Sequence, residues 1–263
     1  MPCFRATDGV EISYRCWEQE SALPLVLLHH GFVASGRTNW EAPGIVRKLV
    51  EAGRRVATID ARGHGASGKP HDPAAYGEAR MAEDVSTLLD VLDEPAVDLV
   101  GYSMGAVVAV LTAVRDHRVR RLVVGGVGAS VVELGGVDTR VLPADALLRV
   151  LRADDPAEVA DSPAASFRAF ADAIGGDRLA LAAQAAATHT GPIAFDEITA
   201  RTLVLVGRDD ALATRPEVLA EAVPGAVVRR VPGDHTTTLR EPEFAEALID
   251  FVNGADTPLG AAS

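Results

Sequence analysis

Ser103 sits in the run Gly101-Tyr102-Ser103-Met104-Gly105, a G-x-S-x-G pattern. The apolar stretch Val97 to Val100 before it has the composition of a buried strand. Ala106 to Val114 after it, free of glycine and proline, suits a helix. A serine wedged between strand and helix occupies a sharp turn that pushes its hydroxyl into the open. The glycines on either side answer the crowding, because a side chain there would collide with neighbouring backbone. The helix that follows directs its free N–H groups at any anion formed on the serine. Acyl transfer needs that combination.

A serine hydroxyl is a poor nucleophile near neutral pH and requires an adjacent base. Of seven histidines, His235 in Val231-Pro232-Gly233-Asp234-His235 follows the last expected strand and precedes the last helix. Its loop therefore opens at the same end of a sheet as Ser103. His64, in Arg62-Gly63-His64-Gly65, competes but precedes the serine, and His71, His117 and His189 have no supporting context. The base in turn needs a carboxylate to fix its tautomer. Leu203-Val204-Leu205-Val206-Gly207-Arg208-Asp209-Asp210 places two acids just past a buried strand, with Asp210 preferred and Asp209 in reserve. Glu133 and Asp138 are weaker alternatives. Two donors must face the developing oxyanion. The Met104 N–H is one, and the Phe32 N–H in His30-Gly31-Phe32 is the other. His29 and His30 do not read as a metal pair, since neighbours on a strand point to opposite faces and no further ligands surround them.

The elements that must position these residues alternate strand and helix. Phe4 to Trp17 reads as a hairpin around Asp8-Gly9, followed by strands at Leu25–His29 and Arg55–Asp60 and helices at Ala42–Ala52 and Ala79–Leu92. After the serine come strands at Arg121–Val124, Thr202–Val206 and Val227–Val231, with helices at Glu217–Val223 and Glu243–Phe251. Such alternation implies right-handed crossovers and a mostly parallel sheet covered on both faces. Ligands bind beyond the carboxyl ends of its strands. Between about 129 and 196 the alternation gives way to alanine-rich helical segments, read as a cap above Ser103.

These pieces together resemble the α/β-hydrolase superfamily over almost the whole chain. The resemblance rests on His30-Gly31-Phe32, Asp60-Ala61-Arg62-Gly63-His64-Gly65-Ala66-Ser67, Gly101-Tyr102-Ser103-Met104-Gly105, Gly207-Arg208-Asp209-Asp210 and Gly233-Asp234-His235, in the family's order. It implies an eight-stranded sheet with helices on both faces and a helical cap. The core would comprise 1–128 and 197–253, the cap 129–196, and a flexible tail 254–263. It selects Asp210, because the family's acid lies three residues after a glycine such as Gly207, and it gives the Arg62–Ser67 turn a structural role. Serine as nucleophile argues against the dehalogenase and epoxide hydrolase branches, which use aspartate. Ser-Met-Gly is also similar to the cofactor-free haloperoxidase and perhydrolase branch. Thr236-Thr237-Thr238 stands where many relatives carry an aromatic or apolar residue, which implies a more polar rim.

The function expected is hydrolysis of a small, apolar carboxylic ester by Ser103, His235 and Asp210 without a cofactor. Trp40, Tyr102, Phe167 and Phe170 are the candidates for the substrate pocket. The rivals are cleavage of a carbon–carbon bond or lactone, peracid formation, and a non-enzymatic ligand-binding protein on the same fold. With 37 acidic against 25 basic residues the net charge is −12. Neither nucleic acid nor an anionic membrane is an expected partner. Two cysteines, no basic-then-apolar leader in Met1-Pro2-Cys3-Phe4-Arg5 and no membrane-length apolar run lead to the expectation of a cytoplasmic protein acting on a small molecule.

Overall fold

The computed structural model describes residues 1–254. The hairpin turn at Asp8-Gly9 joins β1 (Cys3–Arg5) to β2 (Glu11–Trp17), with Gly9 at φ +84°. Six further strands follow: β3 (Leu25–His29), β4 (Val56–Ile59), β5 (Val97–Tyr102), β6 (Val119–Gly125), β7 (Arg201–Gly207) and β8 (Val227–Val231). The sheet order is β1-β2-β4-β3-β5-β6-β7-β8, antiparallel through β2·β4 and parallel from β4 onward.

That order fixes where a ligand can go. From β3 the chain crosses to β4 on one side, then returns to place β5 on the other. The loops leaving β3 and β5 therefore diverge, and a crevice opens between their carboxyl ends. Gly31-Phe32 lies on one lip and Ser103 on the other.

Side-chain alternation along β3 feeds both faces of the sheet. Leu25 and Leu27 join a core with α2 (Glu78–Val91) and α3 (Met104–Arg115), while Val26 and Leu28 join one with α1 (Ile45–Glu51) and α9 (Pro242–Asn253). The helix expected from Ala42 begins only at Ile45. Pro43-Gly44 interrupts it, with Gly44 at φ +83°, and Arg37–Glu41 forms a separate π-helical turn. Asp98, a charged residue inside β5, receives the fully buried Arg54 guanidinium at 2.5 Å.

Between β6 and β7 lie α4 (Ser130–Glu133), α5 (Ala144–Arg152), α6 (Ala165–Ile174) and α7 (Arg178–Ala186). Leu147, Val150, Leu151, Ala171 and Leu181 form a third apolar cluster, and Val33, Phe32 and Leu212 from the loops after β3 and β7 pack into it. The helical segment is thus seated on the site loops. Beyond Gly254, the tail expected over 254–263 lies outside the described residues.

Candidate active site

Ser103 has φ +55° and ψ −118°, a backbone conformation that costs a non-glycine residue of order 1–3 kcal/mol. It persists because the surroundings leave no alternative. A Cβ on Gly101 would strike the main chain of Gly105, and one on Gly105 would strike the carbonyls of His29 and His30. Close approach of β5, α3 and the loop after β3 is what thrusts Ser103 upward.

Two hydrogen bonds connect Ser103 to a buried acid. The Ser103 Oγ–H donates to His235 Nε2 at 3.0 Å, and the His235 Nδ1–H donates to both Asp210 oxygens at 3.0 and 2.9 Å. Asp210 accepts only, which fixes the imidazole tautomer with Nε2 free to receive the serine proton. Asp210 is itself held by the Leu212 N–H at 2.9 Å, and its side chain is fully buried, whereas His235 is partly open. Asp209 is exposed and turns away, its N–H donating to Gly233 O. Tyr102 supports the base from below: its ring lies 5.3 Å from the imidazole and its hydroxyl donates to His235 O at 2.8 Å.

Met104 directly follows Ser103, and Phe32 borders the same cavities as Ser103. The loop carrying Phe32 is tied at several points. Gly31 N–H donates to Asn39 Oδ1 at 2.8 Å, and Gly36 N–H donates to Asp60 Oδ1 at 2.8 Å. Below it the Ala61 N–H donates to His30 Nε2 at 2.9 Å, so His30 Nδ1–H donates to Gly31 O at 2.8 Å. The Phe32 ring meets His64 edge-on at 5.7 Å. His64 thus packs under the Gly31-Phe32 loop, and the Ser103 hydroxyl meets His235 instead. Burial holds the His29 and His30 rings down to about 3 and that of His64 to about 4, so all three stay neutral supports. Arg62, fully buried, anchors the adjoining turn through Asp84 at 2.7 and 2.8 Å and Asp8 at 2.6 Å.

The loop bearing His235 is secured by Asp234. Its Oδ1 accepts from the N–H and hydroxyl of both Thr236 and Thr237 at 2.8–2.9 Å, and these bonds hold its carboxyl down to about 2. The polar run after His235 is therefore a loop clasp as well as a rim.

A cavity of about 340 Å³ opens over Ser103, bounded by Phe32, Tyr102, Phe167, Phe170 and His235. Trp40 does not line it. The expected pocket role is corrected: the indole is fully buried in the core shared with α1 and α9, because the turn at Arg37–Glu41 directs it inward and aims Asn39 at the site. A second, smaller cavity lies beyond Phe32 and Phe167, touching Ser103, Met104, Glu78 and Gln184. Asn39 and Glu78 went unread in the sequence. Asn39 carries no motif, and an acid opening a helix reads as an ordinary helix-terminal residue. Among the described residues no three His, Cys, Asp or Glu side chains converge as a metal set would, and no helix is long and apolar enough to cross a membrane.

The arrangement can activate a hydroxyl, and known proteins are similar to the chain in sequence and fold. A segment of 115 residues is 41% identical to sn-1-specific diacylglycerol lipase ABHD11 of Mus musculus, covering 43% of this chain and 36% of that one. Another of 105 residues is 34% identical to a non-heme chloroperoxidase of Burkholderia pyrrocinia, covering 40% and 36%. The chain thus matches only about a third of the length of these curated relatives. Among solved structures, a hydrolase from Pseudomonas aeruginosa PA01 superposes with a TM-score of 0.77 at 27% identity, over 96% of this chain and 98% of that one. The family model of the alpha/beta hydrolase fold matches residues 24–157. With the sheet order, the Ser103 turn and the histidine loop in place, the chain belongs to the alpha/beta hydrolase fold family.

Proposed function

We propose that this protein is a serine hydrolase that cleaves a small, largely apolar carboxylic ester through an acyl-enzyme. The observation that carries this reading is the continuous hydrogen-bond chain from Ser103 Oγ through His235 to Asp210. Ser103 attacks the ester carbonyl while His235 Nε2 takes its proton. The Phe32 and Met104 N–H groups hold the tetrahedral oxyanion, and each such donor is worth about 3–4 kcal/mol. Collapse breaks the bond to the alcohol oxygen, which leaves with the proton from His235. Water then gives a proton to the same base, attacks the acyl carbonyl, and releases the acid and free Ser103. Asp210 holds the imidazole in place and stabilises its cation throughout.

Tyr102, Phe167 and Phe170 form the apolar wall, and the segment 129–196 acts as the cap. The partner is a small molecule, and no cofactor takes part. Similarity to a non-heme chloroperoxidase supports a second outcome of the same acyl-enzyme, in which hydrogen peroxide replaces water and a peracid leaves.

The test is intact-mass analysis after exposure to a fluorophosphonate, on wild type, Ser103→Ala and His235→Ala. One adduct is expected on wild type, none on Ser103→Ala and slow labelling on His235→Ala. An unlabelled, folded wild type overturns the reading.

A further inference from the structure

Glu78 opens α2 with its side chain buried, yet no cationic side chain bonds to it among the described residues. Its Oε2 accepts from the His189 N–H at 2.6 Å and its Oε1 from Gln184 Nε2–H at 3.2 Å. Burial pushes the Glu78 carboxyl above its ordinary range. Asp84 and Asp98, two other carboxyls raised by burial, each face an arginine: Arg62 and Arg54. Among the described residues no arginine or lysine pairs with Glu78; the one charge-bearing side chain acting on it is that of His189, and a carboxyl so far removed from water is costly to keep.

Gln184 is equally buried, and its Oε1 accepts from the Gly77 N–H at 3.2 Å. One of its two Nε2–H groups goes to Glu78, which leaves the other for a ligand. The Glu78 carboxylate, with about four acceptor sites, takes bonds from the His189 N–H, Gln184 and its own main-chain N–H, which leaves it acceptor capacity for a ligand. Both side chains border the small cavity whose other end is Ser103 and Met104. The remaining wall is apolar apart from Thr188, whose hydroxyl donates to Ala185 O, and includes Val137, Leu142, Leu147 and Leu212. At about 40 Å³ it has room for a group of water to hydroxymethyl size. An apolar sleeve ending in one acceptor and one donor suits a short chain with a hydroxyl at its tip.

We propose that this cavity is an acyl subsite for short hydroxyacyl groups, with Glu78 accepting from the substrate hydroxyl and Gln184 donating to its oxygen. The proposal deepens the serine hydrolase reading and rests on it. Glu78 and Gln184 select the substrate; the bond-breaking steps stay with Ser103 and His235. A site whose buried polar groups are completed by a substrate hydroxyl discriminates strongly against the analogue lacking it, since that analogue leaves them unpaired.

The experiment compares kcat/KM for 4-nitrophenyl esters in pairs: hydroxyacetate with acetate, 3-hydroxypropanoate with propanoate, and 3-hydroxybutanoate with butanoate. Wild type is expected to favour the hydroxyl in at least one pair by tenfold or more. Glu78→Leu should reverse that preference, lowering turnover of the hydroxy ester and raising that of its plain partner. Glu78→Gln, which keeps an acceptor for the His189 N–H, and Gln184→Leu should each narrow the preference, and they carry the test if Glu78→Leu does not fold. Preference below tenfold in every pair overturns the proposal. So does an equal loss on both members of a pair in the folded variants, the mark of a merely structural carboxyl. Fluorophosphonate labelling of wild type separates the two readings. Labelled Ser103 and turned-over plain esters without a hydroxyl preference sink the subsite alone, whereas no label and no turnover sink the hydrolase reading with it.

Discussion

Gly31 N–H donates to Asn39 Oδ1 at 2.8 Å, the side-chain bond that ties Gly31 across eight residues of its loop. Gly31 immediately precedes the Phe32 N–H, and a Cβ on Gly31 would lie 3.2 Å from the Ser103 Cβ. The bond therefore fixes the backbone at Gly31 beside Ser103, and with it the Phe32 N–H that the proposed mechanism uses as an oxyanion donor. Sub-ångström errors in such donors matter, because the oxyanion interaction depends on donors 2.7–3.1 Å from the anion.

Asn39→Ala should accordingly act on the chemical step. It leaves the Gly31 N–H without its acceptor, at a cost of about 1–3 kcal/mol, and releases the loop. A fall in kcat of roughly 10- to 100-fold with KM changed much less is expected in steady-state assays on short acyl esters. Asn39→Asp, which keeps the acceptor oxygen, should recover part of it. A variant with unchanged kcat would detach Asn39 from the oxyanion loop.

The two neighbouring acids after β7 should separate cleanly. Asp210→Asn changes the partner that fixes the His235 tautomer and should lower kcat by about 10⁴-fold. Asp209→Asn, exposed and bonded only through its main chain at this loop, should stay within about twofold of wild type. Equal losses, or the reverse order, would move the acid to Asp209.

The clasp on the histidine loop makes a third prediction. Thr236→Val with Thr237→Val removes both hydroxyl donors to Asp234 Oδ1 while leaving the two main-chain N–H bonds. His235 should then sample positions away from Ser103, lowering kcat and the fluorophosphonate labelling rate together by roughly 3- to 30-fold, as misplacement of a base does. A kcat change with labelling at the wild-type rate would place the effect on substrate handling.

How far the sequence could be read depends on the range over which each feature is set. Ser103 is legible because its requirements are local: a strand, a forced turn between two glycines, and a helix, all within about 20 residues. Asp210 and His235 follow from position, since each ends a strand of the same parallel sheet and must open at the same edge. Glu78 and Gln184 meet across 106 residues, and nothing in either neighbourhood announces the other. Trp40 reads as a pocket residue, but it belongs to a π-helical turn over Arg37–Glu41, ahead of the expected helix, which buries its indole and leaves Asn39 facing the crevice. The threonines after His235 read as a polar rim. Thr236 does border the cavity, but Thr238 is buried with its hydroxyl on Pro232 O.

The stacked histidines beneath the oxyanion loop predict how the protein meets acid. His29, His30 and His64 are almost fully buried, with folded pKa values of about 3, 3 and 4, against about 6.5 in an unfolded chain. Above pH 6.5 all three are neutral in both states and contribute no pH dependence. As the pH falls below 6.5, the unfolded chain takes up protons that the native one refuses, so stability drops until the folded pKa values are reached. Near pH 5 three histidines acting together would give a slope of roughly 4 kcal/mol per pH unit. Glu78, Asp84 and Asp98 work in the opposite sense, because burial raises their folded pKa values and the native state binds their protons first. A single-histidine difference isolates the term. His64→Asn keeps a donor for Arg62 O, the carbonyl that His64 Nδ1 contacts at 2.9 Å, but cannot titrate. Urea unfolding between pH 6.5 and 4.5 should show wild type losing stability faster than the variant by about 1 kcal/mol per pH unit. Parallel profiles would mean that His64 takes up its proton alike in the native and unfolded states, so that burial does not keep its ring neutral.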